Sequence, residues 1–543
     1  MSFYSDLATG LIKQGFCVQV EYGPSLPEEA AACLIKSARA AAKDAPAYEI
    51  RPHQQRVLDK LDKTRGVIVA HSMGAGKTLT ALIAAERAQK RNPNKMVTAV
   101  VPAPLVTNML DQAKQYKVDL DPTHFQVMSY DKAVNQIPTL MAQDHSLVIF
   151  DEAHRVRNKG TTRSSQLDKL LRKADNTLFL TGTPAYNNPN DLAVLVNKVS
   201  GKELLPDDKR EFEDRYLGRT QVSPGFFAHH VLGVPMGEVE HIKNKAELKR
   251  ILSPHIDIYD AQEHDAEHFP TSSQVVVKVA MDKDQEHIYK FVEGNVPALL
   301  RWKIRHGLPL SKKESKDLNA FATGVRQASN SIAPYVTDPV LKAHISPKIH
   351  HMAGSISRGI ESDPNFRSVS YSNYLESGLR PLSRELTRRG IAHAVYDGSL
   401  SQTEKDKIVR QYNTGHLKSI LISSSGAEGL NLKGTKLVQI MEPHFNRSKI
   451  DQIVARGVRY NSHMHLPEAE RHVNVEHYQS VFHRGFFDKV SGSRPKTIDE
   501  YLFDVSNRKQ GVQDEMKNML KTASCREEAV ATLQARRSEE HTS

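Results

Sequence analysis

The sequence is poor in cysteine, with only Cys17, Cys33 and Cys525 among 543 residues. They show no pairing pattern and no metal-ligand spacing. That excludes a disulfide-built scaffold and fits a reducing compartment. Long apolar runs are also missing. No stretch of about 18 apolar residues occurs, so no membrane-spanning helix and no membrane partner is expected. The opening residues, MSFYSDLATGLIKQGF, lack a basic segment followed by a long apolar one. No secretory signal is therefore expected. No internal repeat of fixed period appears, although two α/β halves suggest an old duplication.

What remains is a chain with 39% hydrophobic residues, enough for globular folding. Its length suggests two or three domains rather than one core. Lys and Arg number 74 against 63 Asp and Glu, a net charge of +11. Such an excess suits a polyanion partner, and equally a solvated basic face.

The most informative stretch is His71-Ser72-Met73-Gly74-Ala75-Gly76-Lys77-Thr78. An apolar run, Val67–Ala70, precedes it, and Leu79, Leu82 and Ile83 follow with helical period. Strand, glycine-rich turn and helix N-terminus is the setting of a phosphate-binding loop. Its glycines let backbone N–H groups approach phosphates, and the helix dipole adds positive potential there. Met73, Gly74, Ala75, Gly76, Lys77 and Thr78 are the candidate phosphate contacts. Lys77 would reach the β- and γ-phosphates, and the Thr78 hydroxyl would hold Mg²⁺. The strict pattern has glycine where His71 stands; helicase-type loops relax that position.

Two dozen residues upstream, Arg51-Pro52-His53-Gln54-Gln55 offers a glutamine amide whose donor and acceptor match the edge of adenine. Downstream, Met96–Pro102, Phe125–Tyr130, Leu147–Phe150 and Asn176–Leu180 read as buried strands. Leu147–Phe150 ends in Asp151-Glu152-Ala153-His154. Asp151 would hold the Mg²⁺ shell, and Glu152 would polarise an attacking water. The last of these strands ends in Thr181-Gly182-Thr183-Pro184. Ligand crevices of open α/β sheets lie at such strand ends.

Residues 201–345 carry charge, scattered proline and helical periodicity, as in Lys283–Val292, and read as a mostly helical insertion. His264 and His268, four apart among acidic residues, would share a helix face. The order a zinc protease needs is absent, and an exposed acidic, His-rich loop is the plainer reading. From Ser346 the strand–helix alternation returns. Arg367–Tyr371, Ala392–Tyr396, Ser419–Ser423 and Leu437–Met441 are candidate strands; Leu375–Leu386 and Ser401–Tyr412 are candidate helices. Ser423–Leu432 is a hydroxyl- and glycine-rich turn. Asp451–Arg459 puts Arg456 and Arg459 on one helical face.

Together and in this order, the motifs resemble the superfamily-two helicase-like ATPases, and most of all their Swi/Snf-type branch. Asp151-Glu152-Ala153-His154-Arg155-Val156-Arg157-Asn158 is similar to that branch's DEAH box, and Leu180–Leu192 to its threonine-rich motif. Tyr396-Asp397-Gly398-Ser399 and Gly429-Leu430-Asn431-Leu432 match two further motifs. Ile440–Asn446 and Asp499-Glu500-Tyr501-Leu502 resemble viral relatives of the nucleoside triphosphatase I type. The likeness covers about residues 48–505. Met109 stands where a tryptophan is often found, and the 426–429 turn is one residue shorter than in chromatin remodellers. Those departures set the chain apart from remodellers, not from ATPases.

The resemblance implies an α/β fold of two tandem RecA-like domains with a largely helical insertion between them. The implied boundaries are an extension at 1–47, the first domain at 48–200 and the insertion at 201–345. The second domain follows at 346–480 and a tail at 481–543. It implies ATP and Mg²⁺ as ligands. Gln54 would read adenine, and Gly429 and Gln452 would contact nucleotide from the second domain. Arg456 and Arg459 would close over the phosphates, one of them as a finger. Ser129, Thr181, Thr183, Ser399 and Ser425 would couple the site to DNA. The implied function is a double-stranded DNA translocase; a strand-separating DNA or RNA helicase and a non-catalytic nucleotide switch are the rivals. The expected location is the cytoplasm, a virion or a viral factory. Arg537–Ser543 also reads as the translation of a common sequencing adapter, so the natural C-terminus is expected to be missing; a polar tail is the alternative.

Overall fold

The computed structural model describes residues 48–157, 161–182, 189–222, 237–308, 310, 312–424, 430–444, 447–483 and 495–540. The extension at 1–47 and the candidate site residues Thr183, Ser425 and Gly429 lie outside the described residues. One compact unit holds Ile50–Ala113 and Leu120–Ser543, including both sheets; the other, Met1–Glu49 with Lys114–Asp119, carries no strand among the described residues.

Two parallel sheets of six strands organise the chain. The first joins β1 (Gly66–His71), β2 (Met96–Val101), β3 (Phe125–Ser129), β4 (His145–Asp151), β5 (Asn176–Leu180) and β8 (Ile256–Tyr259) in the order β3-β2-β4-β5-β1-β8. These strands are nearly continuous apolar runs because helices cover both faces of a parallel sheet. Phe150 and Phe179 meet edge to face at 5.6 Å in the core beneath it, with Ile68, Val100 and Leu195. A two-stranded antiparallel ribbon, β6 (Leu217–Val222) with β7 (Gly237–Ile242), stands apart from both sheets.

The second sheet joins β9 (Thr271–Ala280), β10 (Ser368–Ser372), β11 (His393–Tyr396), β12 (Ser419–Ser423), β13 (Leu437–Ile440) and β14 (His472–Val481) in the order β11-β12-β10-β13-β14-β9. Ile349, Met352 and Ile356 pack with Leu382 and Leu386 in one of its apolar clusters, and Tyr371 with Ile450 and Ile453 in another. Both halves match the two RecA-like lobes expected.

The stretch 201–345 is less purely helical than expected, since it gives one strand to each sheet. β8 pairs with β1 through Ile68↔Ile256 to His71↔Tyr259. β9 pairs with β14 over ten residues and forms an exposed edge. Both hide in charged sequence: β8 carries Asp257, and β9 reads Thr-Ser-Ser-Gln-Val-Val-Val-Lys-Val-Ala. The helical part, with Tyr289, Leu300 and Ile304, buries Ile498, Tyr501 and Leu502 of the final helix Ile498–Glu540. The same final helix places Val512, Met516 and Leu520 in the first lobe's core. The helix expected at Leu375–Leu386 opens as a π-turn, Leu375–Leu379, and continues as Arg380–Arg388. Pro381 explains the change, because its ring and missing N–H disrupt a regular α-helical ladder.

Candidate active site

The phosphate loop leaves β1 at its C-terminal end and enters the helix Lys77–Arg91. Gly74 (φ 85°) and Gly76 (φ 76°) take left-handed backbone conformations that side chains resist. Met73 and Thr78 are half-buried and Ala75 is buried. The Lys77 ammonium donates to the carbonyls of His71 (2.8 Å) and Ser72 (3.0 Å), so it lies along the loop it serves.

His71, the departure from the strict glycine, is fully buried. Its Nε2 lies 2.8 Å from Asp257 Oδ1 on β8. Arg56 donates to both Asp257 oxygens, at 2.6 and 3.0 Å. Burial pushes the Asp257 carboxyl up, but the hydrogen bonds and charges of His71 and Arg56 outweigh it and hold the group well below the carboxylate range. The loop is thus tied to the neighbouring strand at its first residue. His53 adds a second tie, with Nε2 2.9 Å from the Ala75 carbonyl and its ring stacked on Tyr259 at 3.7 Å. Gln54 is buried; its Oε1 accepts from the Arg51 N–H (3.0 Å), and its amide donates weakly to the Gly76 carbonyl (3.4 Å).

Asp151 ends β4, and Glu152 follows in the left-handed region at φ 51°. A non-glycine residue held there stores strain, a feature that clusters at functional sites. The Tyr130 hydroxyl donates to the Asp151 carbonyl at 2.6 Å, and the Glu152 N–H donates to Asp151 Oδ1 at 2.9 Å. Burial, then the Glu152 charge, raises Asp151 to about 7, with Lys77 opposing. Burial disfavours the Glu152 charge too, yet its net shift is downward, through His154 (Nδ1 to Oε2, 3.3 Å), Lys77 and Arg456. The environment therefore separates two adjacent carboxylates, leaving Glu152 the charged one.

Lys77 lies below the ordinary lysine range, chiefly through burial; Glu152 and Asp151 draw it up, and Arg456 and Arg459 push it down. Charges of both lobes thus act on one ammonium. Gln452 and Arg456 lie on the helix Arg447–Gly457, where Gln452 is half-buried. Arg459 lies beyond that helix, not on its face as expected. The helix ends at Gly457, where a Cβ would come within 2.5 Å of a Val438 methyl and force it to shift. Arg459 Nη1 donates to the Leu430 carbonyl (3.0 Å), and among the described residues no carboxylate pairs with it.

Thr181 is fully buried, and its N–H donates to the Val69 carbonyl (3.0 Å), joining the end of β5 to β1. Ser129 caps the Tyr130–Asn135 helix, accepting from the Lys132 N–H, and Ser399 is bonded to Asp397 in an exposed turn. His264 and His268 do not share a helix. The Ala261–His264 turn stops at Asp265, and a 3₁₀ turn, Ala266–His268, follows. Their rings pack on Tyr259 and Tyr460, and no metal-ligating cluster of three occurs among the described residues.

The donor set fits a divalent cation. Asp151 is raised to about 7 beside a second carboxylate, and the buried Glu152 Oε2 has His154 Nδ1 at 3.3 Å but no well-aligned hydrogen bond. A cation there would relieve that repulsion. Sequence reasoning missed Arg56, Asp257 and Tyr259, since no motif marks them. It also missed a buried network uniting the two virus-like segments. Asn330 donates to Glu442 (2.9 Å) and accepts from Lys348 (2.8 Å), which pairs with Asp499 at 2.7 Å.

The chain is similar to known helicase-like proteins. Residues 120–332 match the SNF2-related domain, 355–461 the helicase conserved C-terminal domain, and 47–186 the type III restriction enzyme res subunit. The chain is 32% identical over 474 residues to the putative ATP-dependent RNA helicase L538 of Acanthamoeba polyphaga mimivirus, covering 85% of this chain and 94% of that protein. It is 25% identical over 562 residues to a termination factor NPH-I homolog of African swine fever virus, covering 85% of this chain and 76% of that protein. A Sulfolobus solfataricus SWI2/SNF2 ATPase core solved with dsDNA is 17% identical, covering 88% of this chain and 97% of that one, with a TM-score of 0.35.

Proposed function

The chain belongs to the SNF2-related, helicase-like ATPases, and from that premise we propose that its ATP hydrolysis drives translocation along double-stranded DNA. The observation that carries the reading is the joint action of Asp151, Glu152, Arg456 and Arg459 on Lys77. Carboxylates of one lobe and guanidinium groups of the other lie near enough for their charges to reach one lysine of the phosphate loop.

Each residue then has a chemical task. Lys77 and the loop N–H groups bind the β- and γ-phosphates. Gln54 and Gln452 border the nucleotide. Thr78 and Asp151 would hold Mg²⁺, which when bound supplies charge neutralisation at the phosphates. Glu152 orients the attacking water and accepts its proton. Arg456 and Arg459 stabilise charge developing on the transferred phosphoryl group, an effect that grows toward the transition state. Lobe opening after hydrolysis, alternating with closure, would move the chain along a phosphate backbone. Thr181, bonded to β1 beside the loop, is suited to pass that movement to Ser129 and Ser399.

The net charge of +11 and the SNF2-related match support a nucleic-acid track. No helix among the described residues is long and apolar enough to cross a membrane. The viral relatives support a place in a virion or infected cytoplasm. The mimivirus relative's name favours a second reading, a strand-separating helicase on RNA. ATP turnover with duplex DNA, single-stranded DNA and single-stranded RNA separates the two. Duplex DNA should stimulate most, with the gain falling steeply in salt because counterions released from phosphates gain less entropy in a saltier solution. Equal stimulation by single-stranded RNA would overturn the duplex reading.

A further inference from the structure

The two lobes are joined beside the phosphate loop by a small set of side chains. Arg51 is the N-cap of the helix Pro52–Lys63, and its side chain makes no cap hydrogen bond there. One nitrogen donates to the Tyr460 hydroxyl at 2.6 Å, and another pairs with Asp265 at 2.7 Å. The cation also lies 5.2 Å from the Tyr460 ring centroid. Asp265 accepts a further bond from the Tyr259 hydroxyl at 3.2 Å.

Tyr460 directly follows Arg459. Its ring meets Phe269 edge to face at 5.6 Å, and the next N–H, of Asn461, donates to the His268 carbonyl at 2.8 Å. Gly74 of the phosphate loop lies against both rings; a Cβ there would come within 2.6 Å of Tyr460 Cβ and 3.1 Å of Phe269. The Arg459 side chain stands past the end of its helix and donates to the Leu430 carbonyl, while its backbone is tied locally to Ser462, whose hydroxyl donates to the Arg459 carbonyl at 2.7 Å. Arg51 adds a tie from the first lobe to the next residue, Tyr460, while its own N–H donates to Gln54.

We propose that Arg51, Asp265 and Tyr460 form a clasp that positions Arg459 over the phosphate loop. Tyr460 is then a positioning residue for hydrolysis, linked through Arg51 to the helix that carries Gln54. The proposal rests on the assignment of Arg459 to hydrolysis made above. Tyr460→Phe keeps the ring over Gly74 and removes only the hydroxyl. Arg51→Met keeps length and removes the charge.

The test is steady-state ATP turnover of the full chain with saturating duplex DNA, beside a thermal melt. Losing a hydrogen bond to a charged group should lower kcat about tenfold. KM for ATP and the melting temperature should stay near the parent values. Because both residues serve one bond, the double variant should be no slower than the slower single one. An unchanged or raised kcat in Tyr460→Phe, or single effects that multiply, would overturn the clasp. Lys77→Ala separates the two failures. If it is inactive while Tyr460→Phe is fully active, only the clasp falls; if it still turns over ATP, the site assignment falls and takes the clasp with it.

Discussion

Asp257→Asn should weaken the first lobe and its phosphate loop together. The carboxylate is fully buried and Arg56 is only 11% exposed, so water screens the pair little. It accepts two bonds from Arg56 and one contact from His71, with Lys60 Nζ 3.7 Å away. An asparagine has one acceptor oxygen and turns an NH₂ toward a cation or a histidine. Breaking a buried ion pair by removing one partner costs about 3–5 kcal/mol. At about 2–4 °C per kcal/mol for a lobe of this size, the melting temperature should fall by about 6–20 °C. KM for ATP should rise as well, because Lys77 uses the His71 carbonyl. Differential scanning fluorimetry with and without a non-hydrolysable ATP analogue reads both effects. His71→Gly, which restores the strict loop pattern, should also destabilise, and the two changes should be less than additive because they share a contact. A shift under about 1 °C in Asp257→Asn would show that this network does not anchor the loop.

Lys77→Ala should abolish ATP turnover with a near-parental melt, since Lys77 is half-buried at the first position of its helix and leaves no core cavity; parental turnover would refute its role. Glu152→Gln should bind ATP and barely hydrolyse it, because an amide cannot take the water's proton; equal losses of binding and turnover would make Glu152 a ligand instead. Burial holds His53, His463 and His477 near pKa 4, against about 6.5 in the unfolded chain. The folded form therefore binds fewer protons between about pH 4 and 6.5, so stability should fall as pH drops through that window. Denaturation midpoints across it should show the decline, and a flat profile would mean these rings are not buried neutral.

Much of the fold was legible because parallel strands are apolar runs between punctuating turns. β5 and β12 fell where the sequence placed them, and β2 within a residue. β8 and β9 escaped because a four-residue strand carrying a buried aspartate has no periodicity to detect. The phosphate loop and Asp151-Glu152 were legible because their chemistry demands neighbours in sequence. His71 was read as a tolerated departure, whereas the fold buries it against Asp257, 186 residues away. Tyr460 and Asp265 were likewise invisible, since their meaning lies in contacts with Arg51 made only after both lobes have folded. The single trace of that contact in the sequence was an aromatic next to Arg459.

The central claim is that one ATP site is built from both lobes, and Arg459→Ala tests it most directly. The side chain lies 382 residues from Lys77 in sequence, yet its charge acts on that ammonium. A group that stabilises charge only in the transition state should affect kcat far more than binding. Arg459→Ala should bind an ATP analogue and duplex DNA nearly as the parent does, while hydrolysis slows by about 10³–10⁵. Lysine should rescue it poorly, lacking the planar fork. A lowered melting temperature with kcat per folded molecule unchanged would contradict the account.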